Sequence, residues 1–350
     1  MVLVKWTRFA HLGCALYVLS LGLALLVGCS KRSEPTPGHT GNQPEKLELR
    51  YQGFPGLVTY PELAESLGYL APIRLNFVGT TISGPQDIQS VVTGDTDYGG
   101  AFNGAIIKLI AAKAPVTGVV GYYGTDADTY VGYYVLEGSS IKSARDLIGK
   151  KVSVNTVGAH VEFVLREWLT RGGLSKAEAD QVQMVVLPPV NGEQALRSGQ
   201  VDVATLQSVL RDKALERGGL RKLFSDYELF GAFTAGTYVF ANSFLKQNPR
   251  TVEKFVIATA RAIEWVRARP REEVIARYRD IIQRRGRNED ASIVSYFRST
   301  GIATPGGLIR ERDFRIWIDW LEKSQQLSEG QIELGKIYTN QFNPFRDGPT

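Results

Sequence analysis

The chain has 350 residues, with 41 Lys and Arg against 36 Asp and Glu, and a formal charge of +5 at pH 7. This excess is small and forms no basic tract, so nucleic acid is not an expected partner. The two cysteines, Cys14 and Cys29, both lie near the N-terminus. The rest of the chain therefore has no thiol for disulfides, metal clusters or nucleophilic catalysis.

The N-terminal residues have the pattern of an export signal. Lys5 and Arg8 precede the mostly apolar run Ala15–Val27, which is too short for a permanent bilayer-spanning helix. The ending Leu26–Cys29 (LVGC) resembles a bacterial lipobox, in which the cysteine is lipidated and becomes the mature N-terminus. We therefore predict a lipoprotein signal peptide at residues 1–28 and lipidation of Cys29; a signal anchor with an incidental cysteine is the alternative.

Residues 29–45 are predicted to form a flexible tether. Ser30–Glu45 holds three prolines, no aliphatic residue and no Phe, Tyr or Trp, so it has too little apolar surface to fold by itself. Cleavage would remove Lys5 and Arg8 and lower the formal charge to +3. The protein is expected outside the cytoplasm, in the periplasm or at the cell surface, held to a membrane through Cys29. The remaining length, about 300 residues, favours two lobes over a single core.

Strands and helices alternate from residue 47 onward, which favours α/β layers with mainly parallel sheets. The predicted strands are Leu47–Tyr51, Ile73–Val78, Thr96–Gly99, Lys151–Val154, Met184–Leu187 and Val201–Thr205. The predicted helices cover Pro61–Leu70, segments starting near Gly84 and Asn103, Ser143–Leu147, Ala159–Arg171 and Thr251–Arg269.

Two β-rich segments, Thr129–Leu136 and Thr237–Ala241, bracket the middle part and are predicted to cross between lobes. Lobe I would then comprise residues 46–132 and 237–345, the latter with C-terminal helices, and lobe II residues 133–236. The turns GDTDYGG at Gly94–Gly100 and GQVDVA at Gly199–Ala204 are similar. Either the two lobes share one architecture, or turns from helix to strand simply favour Gly and Asp.

Enzyme signatures are scarce. The sequence has no Gly-x-Ser-x-Gly, no phosphate-binding Gly-Lys-Ser/Thr loop and no His-Glu-x-x-His. His11 and His39 precede the globular part, which leaves His160 alone. Asp126 and Asp128 lie in a polar loop typical of solvated carboxylates. We predict a binding protein with no catalytic residue, metal or cofactor.

Three strand-end loops enter predicted helices at Ser83-Gly84, Phe102-Asn103-Gly104 and Thr156–His160. Ligands of open α/β sheets bind at such ends, where free amide groups favour anions. None of these loops carries Lys or Arg, which suits a weakly basic anion such as a sulfonate. Ordinary helix capping explains each polar side chain equally well.

The sequence resembles the nitrate/taurine/aliphatic-sulfonate family of ABC-transporter solute-binding proteins. The matching stretches are LRYQG (Leu49–Gly53), SGPQDIQSVVTGDTDYGG (Ser83–Gly100), SIKSARDLIGKKVSVNTVGAH (Ser140–His160), LPPVNGEQALRSGQVD (Leu187–Asp202) and AIEWVRARP (Ala262–Pro270). The resemblance implies a two-lobed type II periplasmic-binding fold, in which each lobe is a mainly parallel sheet flanked by helices. Two hinge crossovers and a C-terminal helical segment complete it.

The resemblance also implies ligand capture between the lobes. Together with aromatic residues near strand ends, it gives the predicted ligand-binding set Gln52, Phe54, Ser83, Gly84, Phe102, Asn103, Thr156, Gly158, Ala159, His160 and Gln207. Tyr122 and Tyr123 are further candidates for an aromatic wall. The chain departs from the sulfonate binders at Thr205–Ser208, where they tend to carry a tryptophan and an acidic residue.

The function implied is that of a monomeric lipoprotein that delivers a small organic anion to an ABC permease and its ATPase. An alkanesulfonate or a sulfate ester is the first expectation for the ligand. A thiamine-pyrimidine precursor, nitrate, bicarbonate or an aromatic acid are the alternatives, and Asp126 or Asp128 facing the cleft would favour the pyrimidine. A pyrimidine-synthase-like enzyme and a sensor that presents its ligand to a receptor are more remote hypotheses.

Overall fold

A computed structural model describes residues 43–348; the predicted signal peptide, Cys29 and most of the predicted tether lie outside the described residues. Glu45, the last residue of the predicted tether, accepts hydrogen bonds from the backbone N–H groups of Thr251 (2.9 Å) and Arg250 (3.2 Å). It therefore belongs to the folded part. Across residues 43–348 no helix combines the length and apolarity that crossing a membrane requires.

The strands of residues 43–348 are short, as expected for α/β layers. They are β1 (Glu48–Gly53), β2 (Arg74–Thr80), β3 (Tyr98–Phe102), β4 (Val116–Thr125), β5 (Val131–Leu136), β6 (Lys151–Val154), β7 (Gln183–Val186), β8 (Ala204–Gln207), β9 (Leu220–Ser225) and β10 (Phe233–Ala241).

The helices alternate with these strands and then dominate the C-terminal part. They are α1 (Tyr60–Ser66), α2 (Gly84–Thr93), α3 (Asn103–Ala111), α4 (His160–Arg171), α5 (Lys176–Ala179), α6 (Gly192–Arg197), α7 (Ser208–Glu216), α8 (Asp226–Phe230), α9 (Asn242–Gln247), α10 (Pro249–Ala268), α11 (Arg271–Arg284) and α12 (Glu311–Lys323). Short 3-10 helices cover Arg145–Leu147, Pro189–Asn191, Ala291–Tyr296, Pro305–Gly307 and Leu334–Lys336.

Lobe I contains a sheet with the order β2-β1-β3-β10-β4. β1 pairs with β2 in parallel, and β10 pairs antiparallel with both β3 and β4. A hydrogen bond from the Asp97 N–H to the Arg50 carbonyl (2.9 Å) joins β1 to the start of β3. Within this sheet β1 and β2 run in the same direction, and β10 is reversed relative to its two neighbours.

Lobe II repeats this arrangement with the order β7-β6-β8-β5-β9. β6 pairs with β7 in parallel, and β5 pairs antiparallel with β8 and β9. A parallel bridge between Val152 and Val203 joins β6 to the residue before β8. The two lobes thus share one strand order, and the predicted two-lobed α/β fold is confirmed.

The reversed strand of each sheet is the strand by which the chain enters that lobe. The chain leaves β4 at Thr125 and begins β5 at Val131; it returns from α8 and begins β10 at Phe233. The return crossing lies before Thr237, because the whole of Phe233–Ala241 pairs within the lobe I sheet.

The cores follow the predicted apolar patterns. The predicted stripe of α10, which includes Phe255, Val256 and Ile263, is buried against the sheet of lobe I. Trp317 of α12 is fully buried, and its ring contacts those of Phe102 and Phe163. Burial of such large apolar side chains is the dominant stabilising contribution to folding.

The ring of Tyr122 leaves no room for a side chain at Gly100 of β3. A Cβ atom at Gly100 would lie 2.6 Å from Cε1 of Tyr122, whose ring is itself stacked on Tyr238 with a centroid distance of 4.0 Å. We expect Gly100→Ala to lower the free energy of unfolding by about 1–3 kcal/mol through overpacking. Urea denaturation measures this, and Gly79→Ala in β2, where no atom lies within 4 Å of the new Cβ, is the matched control. Equal midpoints for the two variants would contradict the prediction.

Candidate functional site

A cavity of about 260 Å³ lies between the two lobes. Lobe I contributes residues from the loop after β1, from α2, and from β3, β4 and β10, and lobe II contributes residues that follow β6 and β8. The lining residues include Gln52, Phe54, Tyr60, Gly84, Asp87, Phe102, Tyr122, Tyr123, Tyr130, Asn155, Ala159, His160, Gln207, Tyr238, Tyr278 and Phe297. A concave, mainly aromatic space of this kind is the usual form of a small-molecule site.

Seven of the eleven predicted ligand-binding residues line this cavity, and four do not. Those that line it are Gln52, Phe54, Gly84, Phe102, Ala159, His160 and Gln207. Ser83, Asn103, Thr156 and Gly158 are placed elsewhere, in positions that give each of them another role.

Ser83 and Thr156 meet each other across the cleft. The Ser83 hydroxyl donates to Thr156 Oγ1 (3.3 Å), and the side-chain amide of Asn155 donates to the Ile82 carbonyl (3.0 Å). These two contacts join the loop before α2 in lobe I to the loop after β6 in lobe II. Gly158 has φ = 80°, and its N–H binds Glu162 Oε2 (2.6 Å). The turn of Gly158 is therefore a structural feature of the entry to α4.

The prediction that Asn103 caps a helix is wrong, and Asn103 does not line the cavity. Its side chain is fully buried, and its amide N–H groups donate to the carbonyls of Thr234 and Asp313, both at 3.0 Å. Its amide oxygen accepts from Thr237 Oγ1 at 2.8 Å. Asn103 thus connects α3 to β10 and α12, and the position before the helix belongs to Phe102.

Two helices begin at the cavity wall. The residue before α2 is Ser83 and the residue before α4 is Ala159, and neither side chain caps its helix. The first residues, Gly84 and His160, line the cavity. The unpaired amide groups of a helix N-terminus carry partial positive charge, so both ends favour electronegative ligand atoms.

Asp87 is the acidic residue of the cavity wall. Its Oδ2 accepts from the Gly100 N–H (2.7 Å), whereas Oδ1 is buried without a hydrogen-bond partner. Burial raises the pKa of Asp87 to about 7, because desolvation disfavours the charged carboxylate. A buried acceptor without a partner is unfavourable by about 1–3 kcal/mol, which a donor on a ligand would relieve.

Aromatic rings form most of the remaining wall. Tyr122 stacks on Tyr238 and contacts Tyr123, while Phe102 of lobe I stacks on His160 of lobe II with a centroid distance of 4.8 Å. Burial raises the pKa values of Tyr122, Tyr123 and Tyr238 far above 10, so these hydroxyls stay neutral. Among the described residues that line the cavity there is no Lys or Arg.

His160 also faces a buried carboxylate. Its Nε2 lies 3.2 Å from Asp226 Oδ2 without the alignment of a hydrogen bond. Asp226, fully buried, accepts from Thr125 Oγ1 (2.6 Å) at the end of β4 and from the Val131 N–H (3.0 Å) at the start of β5. The ring of His160 is therefore held between the cavity and the first crossover.

Residues 289–300, called the strap here, run from lobe I along the cavity to α7 of lobe II. Val294, Phe297, Ser299 and Thr300 of the strap line the cavity. Its Glu289 Oε1 accepts from the Gly56 N–H (2.7 Å) in lobe I. Towards lobe II, Arg298 pairs with Asp212 (3.0 Å) and Tyr296 donates to Glu216. The strap thus closes one side of the cavity.

Asp126 and Asp128 do not line the cavity. Asp126 accepts hydrogen bonds from the Thr129 N–H (2.7 Å) and from Ser299 Oγ (2.8 Å to Oδ2), and Asp128 is exposed. Their loop holds the strap to the first crossover. The acidic group at the cavity is Asp87 instead, which the predicted ligand-binding set does not include.

The fold and the cavity together define a two-lobed α/β protein in which residues of both lobes line one cavity. The profile of the family described as "NMT1/THI5 like" matches residues 64–273, well over half of the chain, and the chain belongs to this family. A curated relative is the 4-amino-5-hydroxymethyl-2-methylpyrimidine phosphate synthase of Candida albicans, 26% identical over 229 residues. That alignment covers 60% of this chain and 63% of the enzyme, so the chain spans less than two thirds of it.

Solved structures show the same fold. The alkanesulfonate-binding protein SsuA of Xanthomonas axonopodis pv. citri, bound to MOPS, has a TM-score of 0.66 and 19% identity, covering 85% of this chain and 99% of SsuA. The periplasmic nitrate-binding protein NrtA of Synechocystis has a TM-score of 0.67 and 13% identity, covering 86% and 88%. The chain therefore has the periplasmic-binding-protein fold.

The buried contacts of Asn103 predict a role in stability and not in ligand binding. Asn103→Ala leaves two buried carbonyls and the Thr237 hydroxyl without their partner, so we expect a loss of about 1–3 kcal/mol in the free energy of unfolding. Ligand affinity should change by less than about twofold, because the side chain does not reach the cavity. Chemical denaturation and calorimetric titration measure the two quantities; a large loss of affinity with unchanged stability would contradict this role.

The buried carboxyl of Asp87 predicts a pH dependence of stability. The pKa of Asp87 in the folded state is above its unfolded value of 3.8. The stability that the protonated carboxyl contributes to the folded state is therefore fully present below pH 3.8 and is lost as pH rises through about 7. Asp87→Asn lacks this titration. The difference in free energy of unfolding, variant minus parent protein, should therefore increase by up to about 4 kcal/mol between pH 4 and pH 8. Urea denaturation across this range tests it, and a constant difference would exclude a raised pKa.

Proposed function

We propose that this protein is an exported, lipid-anchored solute-binding protein that captures a small organic molecule between its lobes. It then delivers that molecule to a membrane permease and its ATPase. The observation that carries the proposal is the interlobe cavity, with aromatic walls from both lobes and polar contacts across its rim at Ser83 and Asn155. A ligand between the lobes would stabilise the closed form by differential binding.

The cavity favours a flat ligand that carries an N–H donor. Phe102, Tyr122 and Tyr238 contribute aromatic surface to the wall, and Oδ1 of Asp87 is a buried acceptor without a hydrogen-bond partner. An aminopyrimidine provides both features, since its ring stacks and its exocyclic amine donates. The Candida albicans relative, named for a pyrimidine phosphate, supports the same ligand class.

An organic anion is the second candidate, and the observation that favours it is the pair of helix N-termini. α2 and α4 both begin at the cavity without a side-chain cap, and Gly84 and His160 lie at its wall. Such ends bind a sulfonate through neutral amide groups. The similarity to SsuA proteins named as sulfonate-binding supports this ligand class, whereas an ionised Asp87 in the same wall opposes it.

An enzymatic role is the remaining alternative, because the curated relatives are named as synthases. We propose binding without turnover. In the proposed binder, His160 is a wall residue held by Phe102 and Asp226. Recovery of the incubated ligand unchanged, by mass spectrometry, is the expected result, and its conversion would overturn a purely binding role.

Calorimetric titration with 4-amino-2-methylpyrimidine and with ethanesulfonate tests the ligand class. We expect the pyrimidine to bind and the sulfonate to bind weakly or not at all. In Asp87→Asn the amide oxygen keeps the Gly100 N–H, so the amide nitrogen takes the position of Oδ1 and replaces an acceptor with a donor. Pyrimidine affinity should then fall about tenfold or more.

Asp128→Asn removes an exposed carboxylate outside the cavity and serves as the matched control. Tight ethanesulfonate binding that Asp87→Asn strengthens would establish the organic anion in place of the pyrimidine. Affinity that is equal in both variants would remove Asp87 from the binding site.

A further inference from the structure

A second cavity, of about 20 Å³, lies within lobe II beside the interlobe cavity. Val131, Asn155, Val161 and Gln207 line both spaces. The two spaces are therefore neighbours that share part of their walls. We call the smaller space the lobe II pocket.

The lobe II pocket lies where the parallel strands of its sheet end. Val154 is the last residue of β6, Leu187 follows β7, and Gln207 is the last residue of β8. The carboxyl ends of neighbouring parallel strands leave a crevice, and ligands of open α/β sheets bind in this crevice. Its position is thus that of a binding subsite of lobe II.

The walls of the pocket are chemically suited to an apolar group. Val131, Val154, Val161 and Leu187 contribute hydrocarbon, and Pro188 and Pro189 close the far side. The hydroxyls of Ser153 and Thr205 are used between β6 and β8: the Thr205 N–H donates to Ser153 Oγ (3.0 Å), and Thr205 Oγ1 donates to the Ser153 carbonyl (2.9 Å). An apolar group entering the pocket would leave both of these bonds intact.

We propose that the lobe II pocket is a subsite for one methyl-sized apolar substituent of the bound ligand. The inference rests on the proposed function, because it takes the ligand to lie in the interlobe cavity. The substituent would pass beside Asn155 and Gln207 and fill the space below β6 and β8. The pocket would then select among rings that are otherwise alike by the presence and size of that substituent.

Gly192 offers a way to fill the pocket without disturbing the fold. It lines the pocket as the first residue of α6, with φ = −58° and ψ = −47°, which alanine readily adopts. A Cβ there would lie 3.4 Å from the Thr205 carbonyl oxygen, 3.6 Å from Leu206 Cδ2 and 3.8 Å from Ser153 Oγ. These are ordinary contact distances, so Gly192→Ala should fold and place a methyl group at the pocket wall.

The test compares 4-aminopyrimidine with its 2-methyl and 5-methyl derivatives by calorimetric titration. The unaltered chain should bind one methylated probe at least about fourfold more tightly than 4-aminopyrimidine, as burial of one methyl group implies. Gly192→Ala should remove that preference and keep the affinity for 4-aminopyrimidine within about twofold. Gly138→Ala, whose new Cβ has no atom within 4 Å, is the control and should keep the preference.

The outcomes separate the subsite from the proposed function. A methyl preference that persists in Gly192→Ala would overturn the subsite while leaving pyrimidine binding in place. Equal affinity of all three probes for the unaltered chain would also overturn it, since the pocket would then hold only solvent. Failure of every probe to bind the unaltered chain would overturn the proposed pyrimidine class, and the subsite with it.

Discussion

The position of the two lobes relative to each other depends on the hydrogen bonds that the carboxylate of Asp226 accepts. It accepts from Thr125 where the chain leaves lobe I and from Val131 where it enters lobe II. Asp226 itself begins α8, the last helix before the return crossing at Phe233. One fully buried carboxylate therefore binds both ends of the first crossover and lies close along the chain to the second. Because a buried charge is strongly unfavourable without such partners, this geometry is tightly constrained.

The constraint at the crossovers explains how the cavity is built. Each sheet receives its reversed strand from the other lobe, so β5 and β10 bring the lobes together at one side of the cleft. The strap adds a second connection, because its residues line the cavity and its Arg298 and Tyr296 bind α7. Opening the cleft would break these contacts together with the rim bonds of Ser83 and Asn155. In the proposed function, ligand affinity would include the free energy of closing the cleft.

Local patterns in the sequence were sufficient for the fold and for part of the site. The similar turns at Gly94 and Gly199, both with positive φ, precede corresponding strands in two sheets of one order, as the shared-architecture alternative predicted. β3 was placed two residues early, because Gly99 and Gly100 are typical of a turn. Their lack of side chains instead makes room for Asp87 and Tyr122, and no local pattern indicates that.

The site residues that sequence analysis misplaced depend on partners distant along the chain. Asn103 directly follows a strand, where a side chain that donates to a ligand is expected. Its amide instead donates to carbonyls 131 and 210 residues away along the chain. In the sequence, Asp87 is an acidic residue in the first turn of α2, where its negative charge interacts favourably with the helix dipole. Only tertiary burial removes water from Asp87 and raises its pKa, against the hydrogen bond from the Gly100 N–H, which lowers it. Burial that leaves an acceptor without a partner is locally unfavourable, and in the proposed function a donor on the ligand would relieve this cost.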